Sequence, residues 1–208
     1  MADYHTIDLP ASADHDSGFD QVDGFVATWY DQSGNGNNAT QPVATSQPKI
    51  VEAGVLLADG IKFDGVDDCL NNPTVIAQPF TSFSVYKATA NNSAVHGSDD
   101  GGPEGAVVAR RGNGEYMIYA GIALAGDTHP SSGVLASAVF DGAASTGRWN
   151  GVDILSGESG SATSINLIGG DGIYRMTGSI QEILIYDSDQ SAVRTNIEFN
   201  INNAYSIY

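Results

Sequence analysis

Asp31, Ser33, Asn35 and Gly36 place oxygens at alternate positions ahead of a glycine, in the order Asp-x-Ser-x-Asn-Gly. This matches the first half of a calcium loop, with Ser as the second ligand and Gly36 supplying the sharp turn. Position twelve is Pro42, where a bidentate Glu belongs, and no helical pattern flanks the loop. The same residues serve equally well as a tight turn in which Asp31 and the asparagines bond their own backbone. Calcium on Asp31, Ser33 and Asn35 is thus one candidate cofactor site. Asp64, Asp67 and Asp68 form a second acidic cluster, read first as turn residues on a solvated face.

Glycoside hydrolysis needs two carboxyl groups roughly 5 to 9.5 Å apart across a sugar. The nearest local pair is Glu182 with Asp187, in "QEILIYD". Their spacing is odd, so a regular strand points them to opposite faces unless a bulge intervenes. Glu115 and Glu158 have no carboxylate two residues away. His5, His15, His96 and His129 show no His-x-x-x-His ligand spacing, and neither a nucleophile elbow nor a phosphate loop occurs. "RGNGEYM" has two glycines leading into a strand and reads as a hairpin turn. No catalytic residues are assigned. Among the aromatics, Trp29 shares a strand face with Phe25 and Ala27 and reads as core. Trp149, Tyr86, Tyr119 and Tyr174 are the candidates for stacking on sugar rings, with Trp149, beside a turn, the best exposed.

The elements that must position these groups are short strands. Phe25 to Tyr30 reads as a strand closed by a polar loop from Asp31 to Asn38, and Lys49–Val51, Val55–Leu57 and Ile61–Phe63 follow between glycine turns. Thr81 to Lys87 alternates, with Phe83 and Val85 on one face and Ser82, Ser84 and Tyr86 on the other. Residues 89–106 read as a long polar loop; Val107–Arg110, Tyr116–Ile122 and Val134–Phe140 read as strands. Thr146–Trp149 and Val152–Leu155 flank Asn150-Gly151, a strong hairpin signal. Ser164–Ile168 and Gly178–Tyr186 complete the set. Val193, Ile197, Ile201 and Ala204–Tyr205 then fall at helical spacing, with Ser188 and Asp189 as candidate N-caps. About a dozen strands and one terminal helix describe an all-β, two-sheet sandwich.

Composition narrows the partners. The 208 residues carry 8 Lys and Arg against 25 Asp and Glu, a formal charge of −17, and 19 of the acids are Asp. So few cations argue against nucleic acid, whose phosphates demand Lys or Arg, and against anionic membrane surfaces. No apolar run is long enough to span a bilayer. Cys69 is the one cysteine, which removes any intrachain disulfide. The start lacks a signal-peptide pattern. Residues 1–24 hold six Asp and no Lys or Arg, and read as an acidic arm, either solvated or packed on a partner, ahead of a single domain over 25–208.

Several segments form a recognisable set: "TWYDQSGNGNNATQ" (28–41), "QPKIV" (47–51), "GIKFDGVDDCL" (60–70), "FTSFSVYKA" (80–88) and the last stretch, 178–208. Together they resemble laminin-G-like domains of the concanavalin A-like lectin/glucanase superfamily, as found in bacterial surface and bacteriophage virion proteins. The resemblance implies a jelly roll of two antiparallel sheets, with calcium sometimes held at the rim, so that a site using Asp31 is in keeping. The superfamily's glucanases carry a Glu-x-Asp-x-Glu pattern that is absent here. "YDQSGNGN" also resembles arabinofuranosidase catalytic domains, but their cysteine-rich nucleophile segment has no counterpart around Cys69. The expectation is a non-enzymatic virion surface protein, a capsid decoration or tail-associated adhesin with a glycan-binding type of sandwich. Its partners would be other virion proteins, met through the arm, environmental or host-surface glycans, and further copies of itself. Alternatives are an arabinofuranosidase-like or glucanase-like hydrolase, and a structural cement protein without sugar affinity.

Overall fold

The computed structural model describes residues 2–4, 22–72, 75–98, 107–130, 132–162, 165–171 and 173–208. Eighteen strands among them, all paired antiparallel, build two sheets. Sheet A runs in the order β16 (Val152–Gly157), β15 (Ser145–Trp149), β14 (Val134–Phe140), β9 (Phe80–Ala88), β18 (Thr177–Tyr186), β7 (Ile61–Asp64), β5 (Lys49–Glu52), β2 (Gly24–Phe25). Two short strands join it: β6 (Val55–Leu56) beside β5, and β1 (Ala2–Tyr4) beside the far end of β18. Sheet B runs β13 (Ala123–Thr128), β12 (Glu115–Tyr119), β11 (Val107–Arg110), β10 (Ser93–Gly97), β17 (Leu167–Ile168), β8 (Leu70–Asn71), β4 (Ala39–Thr40), β3 (Thr28–Trp29).

The sheets close face to face. Phe80, Tyr86, Val134, Phe140, Ile180 and Ile183 of sheet A meet Trp29, Leu70, Val95, Val108, Tyr116 and Ile118 of sheet B in one apolar core. The Phe80 and Phe140 rings stack at 4.6 Å. Burying each such side chain contributes about 1.5–3 kcal/mol, which offsets the ordering of so many short strands.

The middle of sheet A, at β14, β9 and β18, is buried on both faces. The alternation in β9 places Ser82, Ser84 and Tyr86 against the core, while Phe83 and Val85 face outward. With Leu135 and Leu184 they form a second apolar layer, covered by Ile197, Ile201 and Tyr205 of α1 (Arg194–Tyr205). A buried ion network fixes this helix. Arg194 donates to Ser137 Oγ (2.7 Å), Ser137 O and Thr146 Oγ1 (2.8 Å). Glu198 accepts from Ser137 Oγ at 2.5 Å, with Arg194 3.4 Å and Arg148 3.5 Å away.

Several expectations need correction. Phe25 to Tyr30 is not one strand: β2 and β3 lie in different sheets, and the chain crosses between them at Val26–Ala27. The polar stretch 89–106 contains β10, buried throughout, whose Ser93 and His96 carry no apolar signal; residues 99–106 lie outside the described residues. The run Tyr116–Ile122 breaks at Gly121 (φ +105°) and returns as β13. Neither Ser188 nor Asp189 caps α1, whose N-cap is Val193, without a side-chain bond. Asp189 instead accepts the Ser191 N–H at 2.7 Å. Ala2–Tyr4, at the head of the expected acidic arm, pairs with Ile183–Ile185 of β18, and residues 5–21 lie outside the described residues. The Asn150-Gly151 hairpin forms as expected, with φ of +48° and +75°.

Candidate functional site

The outer face of sheet A carries a cleft of about 470 Å³ between the turn Leu57–Gly60 and the strands β7, β18 and the end of β9. Two close approaches shape it. Gly60 (φ +86°) presses the turn onto β18 so tightly that a Cβ would sit 2.4 Å from Ile180 O. Gly178 (φ +142°) passes so close to β9 that a Cβ would sit 1.9 Å from Lys87 O. A side chain at either place would force the backbones apart. Opposite the turn, β18 bulges at Gln181, between Ile180 and Glu182, and Gln181 Nε2 donates to Ala58 O at 3.2 Å.

The lining mixes apolar surface from Leu57 and Ala58 with Asp59, Lys62, Asp64 and Lys87 and the hydroxyls of Thr89, Thr177 and Ser179. Lys87 pairs with Asp59 at 3.3 Å. Lys62 pairs with Glu52 at 3.1 Å, and Glu52 also holds Lys49, which reaches Asp23 at 2.7 Å. These lysines hold the carboxyls of Glu52 and Asp23 below their ordinary range.

Asp64 stands at the rim, beside Asp67 and Asp68. Their ligand oxygens lie within 4.8 Å of one another, the one such group of three among the described residues. Each carboxylate also serves its own loop. Asp64 Oδ1 accepts the Val66 N–H at 2.8 Å, Asp68 Oδ2 the Asp64 N–H at 2.9 Å, and Asp67 Oδ2 the Ser46 hydroxyl at 2.8 Å. Burial, followed by the charges of Asp64 and Asp67, pushes the Asp68 carboxyl up to about 6. Asp31 behaves similarly. Its Oδ1 accepts the Ser33 N–H (2.9 Å), and its Oδ2 the Ser33 hydroxyl (2.8 Å) and the Asn37 N–H (3.0 Å). Of the three calcium candidates, Ser33 is thus an Asp31 partner, and Asn35 follows it with an N–H toward Ser33 Oγ at 3.3 Å.

Of the four stacking candidates, only Tyr119 and Tyr174 share a surface. Tyr86 is 1% exposed and offers no ring face to a ligand, because the β9 register turns it into the core. Its hydroxyl lies 2.8 Å from His129 Nε2, and His129 Nδ1 lies 2.5 Å from Pro130 O. The neutral ring satisfies both contacts by donating from Nδ1 and accepting at Nε2. Burial drops this imidazole to about 4. Trp149 is half-buried: it packs against Tyr116 and His129, with centroids 5.9 Å from each. Tyr119 and Tyr174 remain half-exposed on the outer face of sheet B, lying over Ala94, Ala109 and Met117. Glu182 is buried beside the groove under α1, and Asp187 is exposed beyond the end of β18. The bulge precedes Glu182, so their odd spacing stands and they form no pair. The cleft is not legible in the sequence, since its residues come from three separated segments, 57–64, 87–89 and 177–179. The "GIKFDGVDD" stretch was the nearest signal.

No protein-family model matches the chain, and no curated protein does. Solved structures do. The Trypanosoma rangeli sialidase in complex with 2,3-difluoro-KDN superposes with a TM-score of 0.60 at 13% identity, over 96% of this chain and 36% of that one. A second structure of Trypanosoma rangeli sialidase gives 0.60 at 15% identity, over 88% and 32%. The native heptameric SAP-like pentraxin from Limulus polyphemus gives 0.50 at 12% identity, over 64% and 78%. The chain spans about a third of the sialidase's length. The fold is a concanavalin A-like jelly roll. At these identities the likeness is one of fold alone. No helix among the described residues is long and apolar enough to cross a membrane.

Proposed function

We propose that this protein is a non-catalytic, carbohydrate-binding jelly roll carried on the surface of a virion, as a capsid decoration or tail-associated adhesin. The observation that carries the sugar reading is the cleft on sheet A. Its volume suits one or two sugar rings. Its wall offers hydroxyls and charged groups able to bond sugar hydroxyls, set around apolar surface that can cover a ring's C–H face. The fold neighbours lend support, since one of them is a sialidase solved with sialic acid bound. The virion placement rests on the resemblance of the segments quoted above, with a strongly acidic surface that keeps crowded copies apart.

The non-catalytic part of the reading rests on the acids around the cleft. Asp59 sits on an exposed turn beside Lys87, Asp64 Oδ1 is turned onto its own loop, and the one neighbouring carboxyl raised by burial, Asp68, accepts from the Asp64 backbone. A general acid of the glycosidase kind would have to face the sugar. The specific observation favouring the hydrolase alternative is that Asp59 and Asp64 both line the cleft. A glycan array read with labelled protein tests the proposal. The native protein is expected to bind a defined subset of glycans, and Ala58→Trp, which fills the exposed turn, to abolish the signal. Silence on the array would leave only the cement alternative. Turnover that disappears in Asp59→Ala would establish the hydrolase. Co-purification with intact particles at fixed copy number tests the placement, and a protein found only free would refute it.

A further inference from the structure

The chain has three lysines, and sheet A lines up all of them in one rung. Lys49 on β5 stands opposite Lys62 on β7, Lys62 opposite Ser179 on β18, and Ser179 opposite Lys87 on β9. Like charges at neighbouring cross-strand positions are unfavourable. In a chain of net charge −17, such a concentration of positive charge calls for a reason. Acids interleave with the row, but they hold it loosely. The Lys87 and Asp59 side chains are 44% and 67% exposed, and those of Lys62 and Glu52 50% and 44%. Exposed pairs of this kind contribute little and exchange partners at small cost. Lys62 and Lys87 sit two strands apart, about 10 Å at the backbone, with Ser179 between them on the cleft wall.

We propose that the cleft takes an acidic sugar, a ring bearing a carboxylate that lodges between Lys62 and Lys87 above Ser179. This rests on the sugar-binding reading of the cleft and adds the charge of the ligand. The two ammonium groups leave Glu52 and Asp59 for the ligand's carboxylate, while the hydroxyls of Thr89 and Thr177 meet the ring's own. Asp64 stands at the rim, its Oδ1 accepting from the N–H groups of its own loop. Lys49 is engaged by Asp23 and Glu52 and stays outside the cleft.

Titration calorimetry with oligogalacturonate and with its fully methyl-esterified form tests this, since esterification keeps the ring and removes the charge. The acid form is expected to bind at least tenfold tighter, the scale of one charge-assisted hydrogen bond. That preference should shrink as salt rises from low to high, because the paired groups are partly exposed. Lys62→Gln and Lys87→Gln should each remove about tenfold of the preference. Arg111→Gln, an exposed cation paired with Glu115 away from the cleft, should change nothing. Thermal melts of each variant show that folding is intact. Equal affinity for acid and ester overturns the inference and leaves the sugar reading standing. Binding of neutral array glycans with none of the acid does the same. Lysine variants that lose stability but keep the preference would show that the rung is only a charged strip on the sheet. Absence of binding to every sugar overturns the sugar reading together with the inference.

Discussion

His129 makes the folded state sensitive to acid in a way that can be isolated. The ring is 2% exposed, and burial lowers its pKa from 6.5 to about 4. Above pH 6.5 both the folded and the unfolded chain hold it neutral, and its titration contributes nothing. Below 6.5 the unfolded chain takes up a proton that the folded chain refuses, so the unfolded state binds more protons and stability falls as pH falls. The loss accumulates between pH 6.5 and 4 and then levels off. At pH 4.5 it amounts to about 2–3 kcal/mol. The many carboxylates also titrate in this range, so the measurement must be a difference. Urea unfolding of the native protein and of His129→Gln, each at pH 7 and pH 4.5, supplies it. At pH 7 the variant should be the weaker protein, having lost the Tyr86 contact. At pH 4.5 the gap should narrow, or reverse, by about 2–3 kcal/mol. A gap that stays constant to within about 0.5 kcal/mol, well inside the expected change, would mean that the imidazole titrates as in water, and the account of a dry Tyr86–His129–Trp149 cluster would fail.

Three further outcomes follow from groups buried elsewhere. Glu198→Ala should cost about 3–5 kcal/mol, because Arg194 is left as a buried cation with only neutral acceptors, whereas Arg194→Met combined with Glu198→Leu should recover most of that loss. A double-mutant cycle by chemical denaturation measures both. Tyr116→Phe should be neutral or stabilising, since the Tyr116 hydroxyl is buried without a hydrogen-bond partner; an unchanged or higher melting temperature is the expected reading, and a drop of several degrees would contradict it. Asp68 has the opposite pH sign to His129. Its folded pKa of about 6 lies above the unfolded 3.8, so the folded state is favoured by protonation and loses stability as pH rises from 3.8 through 6. Asp68→Asn should therefore be more stable at pH 7, by about 1–2 kcal/mol, and the gain should vanish below pH 4.

The sandwich was legible because its signals are local. Alternation in β9 and β18, glycine turns and the Asn150-Gly151 hairpin each state their element within ten residues. What stayed hidden depended on partners distant in sequence. Strand β10 reads as polar loop because Ser93 and His96 owe their burial to neighbours: His96 Nε2 lies 3.2 Å from Ser82 Oγ across the sandwich. The outward face of β9 holds Phe83 and Val85, which sequence alone would turn toward the core. Only the arrival of α1 on that face lets Tyr86 and two serines point inward instead. Tyr86, attractive as a sugar platform by type, is spent on the interior for the same reason, while Trp149 is half-buried against Tyr116 and His129.

The cleft depends on a single extra residue. Ser179 faces outward with Lys62 and Lys87, while Ile183 and Ile185, further along the same strand, face the core. In a regular strand residues 179, 183 and 185 would share one face. The bulge at Gln181 breaks that parity. Without it, the pairing of Glu182 with Val85 would carry back along β18 to set Ser179 opposite Ala88, turn its hydroxyl into the core and push Ile180 out. The bulge therefore places Ser179 between the two lysines, and Gly60 lets the turn that walls the cleft approach it. Bulges recur where a sheet must re-aim side chains toward a site. This one is invisible in "TGSIQEILIY", because nothing in the composition of β18 marks Gln181 as the extra residue.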